Sequence, residues 1–351
     1  MSVTQKKKLS RFARIAIALG GVLLVILAFT AYTYYQLYFK PNVAADGKYL
    51  YIRTGADFEE VMKGLSEEKI LKNELSFRTA AEEMGYGPKI KPGRYKFSRG
   101  AGNRQLINML KAGNQEPVNL FFRSIRQKNE FAGRISKLLE ADSAELVHLL
   151  DSEAYVKQFG FNKETVYAMF IPNSYEVYWN TSATGFFERM NKEYQSFWTE
   201  ERKSKAKAAG LTPVQVSILA SIVDAEAPHD DEMPMIAGLY LNRIHKGIRL
   251  QADPTVIYAA GDFTIRRVLN KHLRISSPYN TYLNAGLPPG PIMMPSINAI
   301  DAVLNHKKHD YIYMCAKDDF SGYHNFAVTE AQHLVNARKF QQALNIRNIK
   351  R

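Results

Sequence analysis

Cysteine is nearly absent: Cys315 is the only one in 351 residues, so no disulfide can form within the chain and stability must come from packing. Metal-ligand spacing is missing too. The eight histidines are scattered, HExxH does not occur, and Cys and His never fall at zinc-site intervals, so neither a metal nor a cofactor is expected. No charged residue stands between Arg14 and Lys40. Within that gap Ile15 to Phe29 is almost wholly apolar and grades into Tyr32, Tyr34, Tyr35 and Tyr38, which predicts a bilayer-spanning helix over 15–39 with tyrosines at its far interface. A cleaved signal peptide is the alternative, but the run is long and ends in bulky tyrosines rather than small residues.

What is present fills in the topology. Lys6, Lys7, Lys8, Arg11 and Arg14 precede the span, so the leader 1–14 is expected in the cytoplasm and everything past Lys40 outside. Those five basic residues are part of a formal net charge of +13, leaving +8 beyond the membrane. There, cell-wall polymers and lipid headgroups are the polyanions to expect rather than nucleic acid, with an unpartnered solvated surface as the alternative. A chain 46% hydrophobic is not disordered, and its length suggests about two domains after the anchor.

Pattern predicts a small α+β module over 48–115. Lys48 to Arg53 reads as a strand, Phe58, Val61, Met62 and Leu65 repeat at helical spacing, and a second helix runs from Asn73 to Met84. A strand ending at Phe97 and a helix from Asn103 to Ala112, stopped by Gly113, complete it. The remainder, 116–351, reads as a larger mixed domain. Val118 to Phe122 suggests a strand, and 130–139 and 144–150 suggest helices. Met169 to Trp179 sets aromatics around a proline, either as buried core or as one wall of a sugar-binding cleft. Glu200 to Ala208 reads as a solvated helix.

One helix concentrates the chemistry. Thr212 and Pro213 start it and Pro228 stops it. Val216, Leu219, Ala220 and Val223 form its apolar stripe, and the next position on that stripe is Glu226. Desolvation there raises a carboxyl pKa toward the range a general acid needs, while Asp224 lies about 200° around the helix and cannot pair with it. A buried salt bridge to Arg243 is the structural alternative. Asp230 or Asp231 is expected to cap the next helix, which runs to His245. Three turn-rich loops follow, at 250–258, 277–282 and 286–292, as a preorganised cleft would require.

Ser221 to Glu226 (SIVDAE), Leu250 to Thr255 (LQADPT), Tyr279 to Tyr282 (YNTY) and Gly286 to Pro291 (GLPPGP) resemble, in order and spacing, the YceG-like family of endolytic murein transglycosylases. Gly322 to Phe326 and Thr329 to His333 resemble its C-terminal elements, and the module at 48–115 looks like its LysM-like region. The resemblance implies an α+β chain with an N-terminal anchor, a LysM-like module and a YceG-like catalytic domain. It implies a lyase cutting the β-1,4 bond between N-acetylmuramic acid and N-acetylglucosamine within peptidoglycan strands, leaving 1,6-anhydro ends. Glu226 matches the catalytic glutamate, and Asp253, Asn280, Tyr282 and His324 are the candidates for lining the cleft, each with a structural role as its alternative. The implied setting is the outer face of the cytoplasmic membrane, on freshly made strands beside peptidoglycan synthases. The sequence departs from the family's usual pattern at Asp224, where glutamate is common, at Ser296, where glycine is usual, at Asn173, and around Phe121 to Gln127. A non-catalytic wall-binding scaffold and a muramidase that uses water remain as alternatives.

Overall fold

The computed structural model describes residues 10–44 and 46–347. The charge-free stretch forms α1 (Arg11–Tyr38), opened by Ser10, whose hydroxyl accepts from the Ala13 amide at 3.2 Å. With this cap α1 begins before the apolar run does, so Arg11 and Arg14 lie within the helix rather than ahead of it; Lys6, Lys7 and Lys8 fall outside the described residues. None of the residues of α1 is buried, and its 28 residues extend about 42 Å at 1.5 Å each. Its length, and a mean hydropathy of 2.5 over an 18-residue window within it, are sufficient to cross a membrane.

The chain forms two compact units. The first holds the described residues up to Val118 together with Val177–Asn180. After α1 come β1 (Lys48–Ile52), α2 (Phe58–Glu67), α3 (Glu74–Glu83), β2 (Gly93–Phe97) and α4 (Asn103–Ala112). Asp57 and Glu60 make a capping box at the start of α2, Asn73 caps α3, and Gly113 ends α4 in the left-handed region at φ 75°. β1 and β2 pair antiparallel from Lys48 opposite Phe97 to Ile52 opposite Gly93. Alternation sends Leu50, Ile52, Tyr95 and Phe97 inward onto Val61, Leu65, Phe77 and Ile107. Asn42 and Asn103 are also buried, and they stay satisfied: Asn42 Nδ2 donates to Asn103 Oδ1 at 2.7 Å and Asn103 Nδ2 to the Leu37 carbonyl at 2.8 Å.

The second unit holds Asn119–Glu176 and the residues from Thr181 on. β3 (Val118–Phe121) leads into α5 (Lys128–Ser136), α6 (Ser143–Asp151) and α7 (Glu153–Lys157), and the chain then returns as β4 (Ser174–Val177), paired with β3. Around this pair Phe122, Phe131, Phe170, Phe186 and Phe187 pack edge to face or stacked. Phe170, Ile171 and Tyr175 are buried among them, so the aromatic segment at 169–179 is largely core.

α8 (Ala183–Phe197) and the mostly exposed α9 (Glu200–Ala208) precede α10 (Pro213–Glu226), which is begun by a Thr212–Gln215 capping box. A single stripe on α10 is too narrow a description: all eight residues from Val216 to Val223 are buried, because α9, α11 (Met233–His245), α12 (Asp253–Ala260) and α13 (Ile297–Leu304) pack around it. Each fully buried Val, Leu or Ile here contributes about 1.5–3 kcal/mol. β5 (Tyr313–Ala316) and β6 (His324–Ala327) pair antiparallel, and α14 (Glu330–Ile346) packs on them.

Two expectations are corrected. Neither Asp230 nor Asp231 caps α11, which has no side-chain cap, follows Glu232 and takes Pro234 in its first turn. Asp230 instead accepts from Asn298 Nδ2 at 2.6 Å and Asp231 from the Tyr323 hydroxyl. The stretch 250–258 is not all loop: Pro254, with its φ preset for a first turn, helps start α12, which ends at Ala260 before the left-handed Gly261.

Candidate active site

Glu226 is the last residue of α10, and Ala227 turns the chain away at φ −94° and ψ 109°. Its carboxyl opens onto a cavity of about 580 Å³. Tyr240 and Arg243 of α11, the 250–253 segment, Tyr282, β5, His324 and the start of α14 supply the other walls. Protein encloses Glu226 on every side but the cavity. That desolvation pushes its pKa up to about 7; the Tyr240 hydroxyl, donating at 2.9 Å, and the Asp253 backbone amide pull it back, and the Asp253 carboxylate adds to the rise. The negative end of the α10 dipole works in the same direction as burial.

The alternative reading of Glu226 as half of a buried salt bridge is not realised. Arg243 spends its guanidinium on carbonyls, those of Ile312 at 2.6 Å, Arg249 at 3.0 Å and Leu250 at 2.6 Å, and on Gln251 Oε1 at 3.3 Å. It is a strut that ties α11 to the cavity wall. Gln251 beside it holds φ at 53°, an unfavourable value for a side-chain-bearing residue, and its amide is fixed on the Thr281 carbonyl at 3.1 Å. Thr281 and Thr255, both fully buried, join their hydroxyls at 2.8 Å and lock the two loops together.

Of the five candidate residues, the fold brings four to this cavity: Glu226, Asp253, Tyr282 and His324. Tyr282 donates its hydroxyl to Asp253 Oδ1 at 2.6 Å, and burial raises its pKa well above the usual phenol range. His324 is held by Glu232, which takes its Nδ1 at 2.7 Å and its backbone amide at 2.8 Å. Asn280 does not face the cavity. It is fully buried, donates to the Leu273 and Ile275 carbonyls at 3.0 and 2.8 Å and accepts from the Tyr282 amide at 3.0 Å, so it shapes the loop that presents Tyr282.

Sequence reasoning missed Tyr240 and Glu232. Tyr240 carries a signal in retrospect, a hydroxyl on the apolar face of a helix, which needs a buried partner. Glu232 carries none, since its partner His324 is 92 residues away.

Asp224 points elsewhere. It accepts from the Ser296 amide at 2.7 Å, the Ser296 hydroxyl at 3.1 Å and the Ser124 hydroxyl at 3.2 Å. Burial raises its pKa, and these donors oppose the rise. Ser296 in turn caps α13. Asp224 and Ser296, two of the positions where the chain departs from the family's usual pattern, therefore bond to each other.

The arrangement amounts to one carboxyl group able to give and take a proton near neutral pH, in an open, polar cavity large enough for a sugar. Among the described residues no group of three or more His, Cys, Asp or Glu is placed to hold a metal ion. The YceG-like family model matches residues 50–339, and the chain belongs to that family. A curated relative, the endolytic murein transglycosylase of Bacillus subtilis (strain 168), is 28% identical over 284 residues, covering 76% of this chain and 78% of the relative. The endolytic murein transglycosylase of Streptococcus pneumoniae serotype 2 (strain D39) is 24% identical over 301 residues, 76% of this chain but only 53% of the relative. The crystal structure of a YceG-like protein from Listeria monocytogenes shares the fold with a TM-score of 0.54 at 24% identity, over 83% of this chain and 99% of that one.

Proposed function

We propose that this chain is an endolytic lytic transglycosylase that cuts the β-1,4 bond between N-acetylmuramic acid and N-acetylglucosamine within peptidoglycan strands, with Glu226 as its acid and base. The observation that carries this reading is the Glu226 carboxyl, opening onto a sugar-sized cavity and desolvated at the end of α10, which pushes its pKa up to about 7. Protonated Glu226 gives its proton to the glycosidic oxygen as the bond to C1 breaks, and the N-acetylglucosamine side leaves as an alcohol. The N-acetyl group of the muramic residue stabilises positive charge at C1. The Glu226 carboxylate then takes the proton of that residue's 6-hydroxyl, whose oxygen closes on C1 to give the 1,6-anhydro ring. No water is consumed and Glu226 regains its proton. Asp253, fixed by Tyr282, places negative charge beside the developing cation, and His324 lines the same cavity.

α1 is the anchor in this reading, with the N-terminus in the cytoplasm and everything past Lys40 outside. Residues 48–115 are a LysM-like module that holds glycan; the strand-helix-helix-strand order of 48–97, with its two strands paired ahead of α4, supports that assignment. The catalytic domain is 116–351. An enzyme so tethered works on strands near the membrane, beside the synthases that make them, and ends their growth.

Asp253 also favours a second reading: a like charge close enough to raise the Glu226 pKa is placed to activate water, which would make the enzyme a muramidase. Digestion of purified strands by the full-length protein in detergent, with and without Glu226→Gln, separates the readings by product mass. Internal cuts ending in anhydro sugar and lost in the variant are the expected result. Ends heavier by one water select the hydrolase, and no cleavage of uncross-linked strands by the folded protein returns the scaffold.

A further inference from the structure

A second cavity, of about 650 Å³, lies in the same unit and shares two elements with the first. α12 gives Asp253 to the Glu226 cavity and Tyr258 to this one; the 279–282 loop gives Tyr282 to the former and Tyr279 to the latter. Five helical residues from Asp253 to Tyr258 rise about 7.5 Å. A four-residue peptide extends about 13 Å, longer than that rise.

The lining of this cavity leaves two polar groups unspent. Tyr167 is 5% exposed, yet its buried hydroxyl has no hydrogen-bond partner; the neighbouring Tyr258 and Tyr279 rings stand tilted against each other, 4.7 Å apart. A buried donor in that condition destabilises the fold unless something accepts from it. Among the charged groups, Lys128 holds Asp151 at 2.6 Å and Lys163 faces Glu164 at 3.9 Å. Arg126 makes no ion pair among the described residues; its guanidinium stands over the Phe263 ring, 5.5 Å from the centroid. One cation parked on an aromatic face and one buried hydroxyl donor suit a carboxylate flanked by small apolar groups. A neutral sugar would use the rings and leave Arg126 unpaired.

We propose that this cavity binds the peptide stem of the peptidoglycan strand, with Arg126 pairing with a stem carboxylate and Tyr167 donating to it, while the muramic sugar that carries the stem occupies the Glu226 cavity. The inference rests on the reaction proposed above. In strands stripped of peptide the muramic lactyl group ends in a carboxylate as well, so two sources of the same chemistry must be separated.

The test compares kcat/KM of the full-length protein on stem-bearing strands and on strands stripped by an amidase, for wild type, Arg126→Ala, Arg126→Lys and Tyr167→Phe. Wild type should prefer stem-bearing strands. Arg126→Ala should shrink that preference about tenfold, mainly through KM, as expected when one charge-assisted bond is lost, with Arg126→Lys recovering part of it. An unchanged preference overturns the proposal. A loss greater on stripped strands gives the cavity to the lactyl carboxylate and also overturns it. Calorimetry of a free stem tetrapeptide with full-length Glu226→Gln gives a readout independent of cleavage. If no strand is cut but the peptide binds and Arg126→Ala weakens it, the proposed reaction fails and the cavity assignment stands; absence of peptide binding overturns the assignment alone.

Discussion

Two faces of the last turn of α10 treat a carboxyl group in opposite ways. Asp224 and Glu226 stand two residues apart, and burial raises the pKa of both. Three serine donors converge on Asp224, and it holds the start of α13 in place. Glu226 receives one tyrosine hydroxyl and the Asp253 backbone amide, and otherwise faces a cavity. Burial alone therefore does not mark a reactive carboxyl. What marks it is burial without enough donors to settle its charge, next to space for a ligand.

The sharpest way to break this comparison is to remove each acid while keeping its shape. Glu226→Gln should lower kcat/KM on glycan strands by about a thousandfold with the fold intact, the size of a lost general acid. Asp224→Asn should stay within about tenfold of wild type, since its role is to accept hydrogen bonds. Equal losses, at unchanged melting temperature, would erase the distinction. Asp224→Ala then isolates the structural half. It strands the Ser296 amide and should cost about 2–3 kcal/mol in denaturant unfolding, whereas trimming Glu226 should cost nothing comparable.

Glu226 should in fact cost stability when charged. A carboxyl at about 4.5 unfolded and about 7 folded resists ionisation in the native state, so its penalty is absent below pH 4.5, grows between the two values and is complete above pH 7. Glu226→Gln is expected to raise stability by about 3 kcal/mol at pH 8 and by almost nothing at pH 4, read as melting temperature against pH. A pH-independent effect would mean that the group titrates normally.

How far these features were legible follows from how local their causes are. The first module could be read almost element by element, because Asp57, Asn73 and Gly113 are caps whose partners lie within a few residues. Glu226 was legible for the same reason, being the next position on a helical stripe. Asn280 was misplaced because an asparagine's type says only that it bonds; the loop carbonyls that claim it are visible only once the chain has turned. β4 and the Glu232–His324 pair depend on contacts dozens of residues apart, and α12 reads as loop in the sequence because Pro254, which helps to start it, is also a turn residue. The Tyr167 cavity had no signature at all, since nothing in a sequence says that a buried hydroxyl will lack a partner.

The smallest expected effects are the most specific. Tyr240 donates to the Glu226 carboxylate and so stabilises its charged form; Tyr240→Phe removes that donor, and the pKa should rise above 7. The Asp253 carboxylate repels that charge, and Asp253→Asn should let the pKa fall. Since the first chemical step needs protonated Glu226, kcat/KM declines as pH rises through its pKa. The alkaline limb of the pH profile should therefore move up by about half a unit in one variant and down by a similar amount in the other, each corresponding to a little under 1 kcal/mol. Opposite displacements require a single ionisation on Glu226 that feels both neighbours. If the limb stays fixed in both variants, a group other than Glu226 sets it.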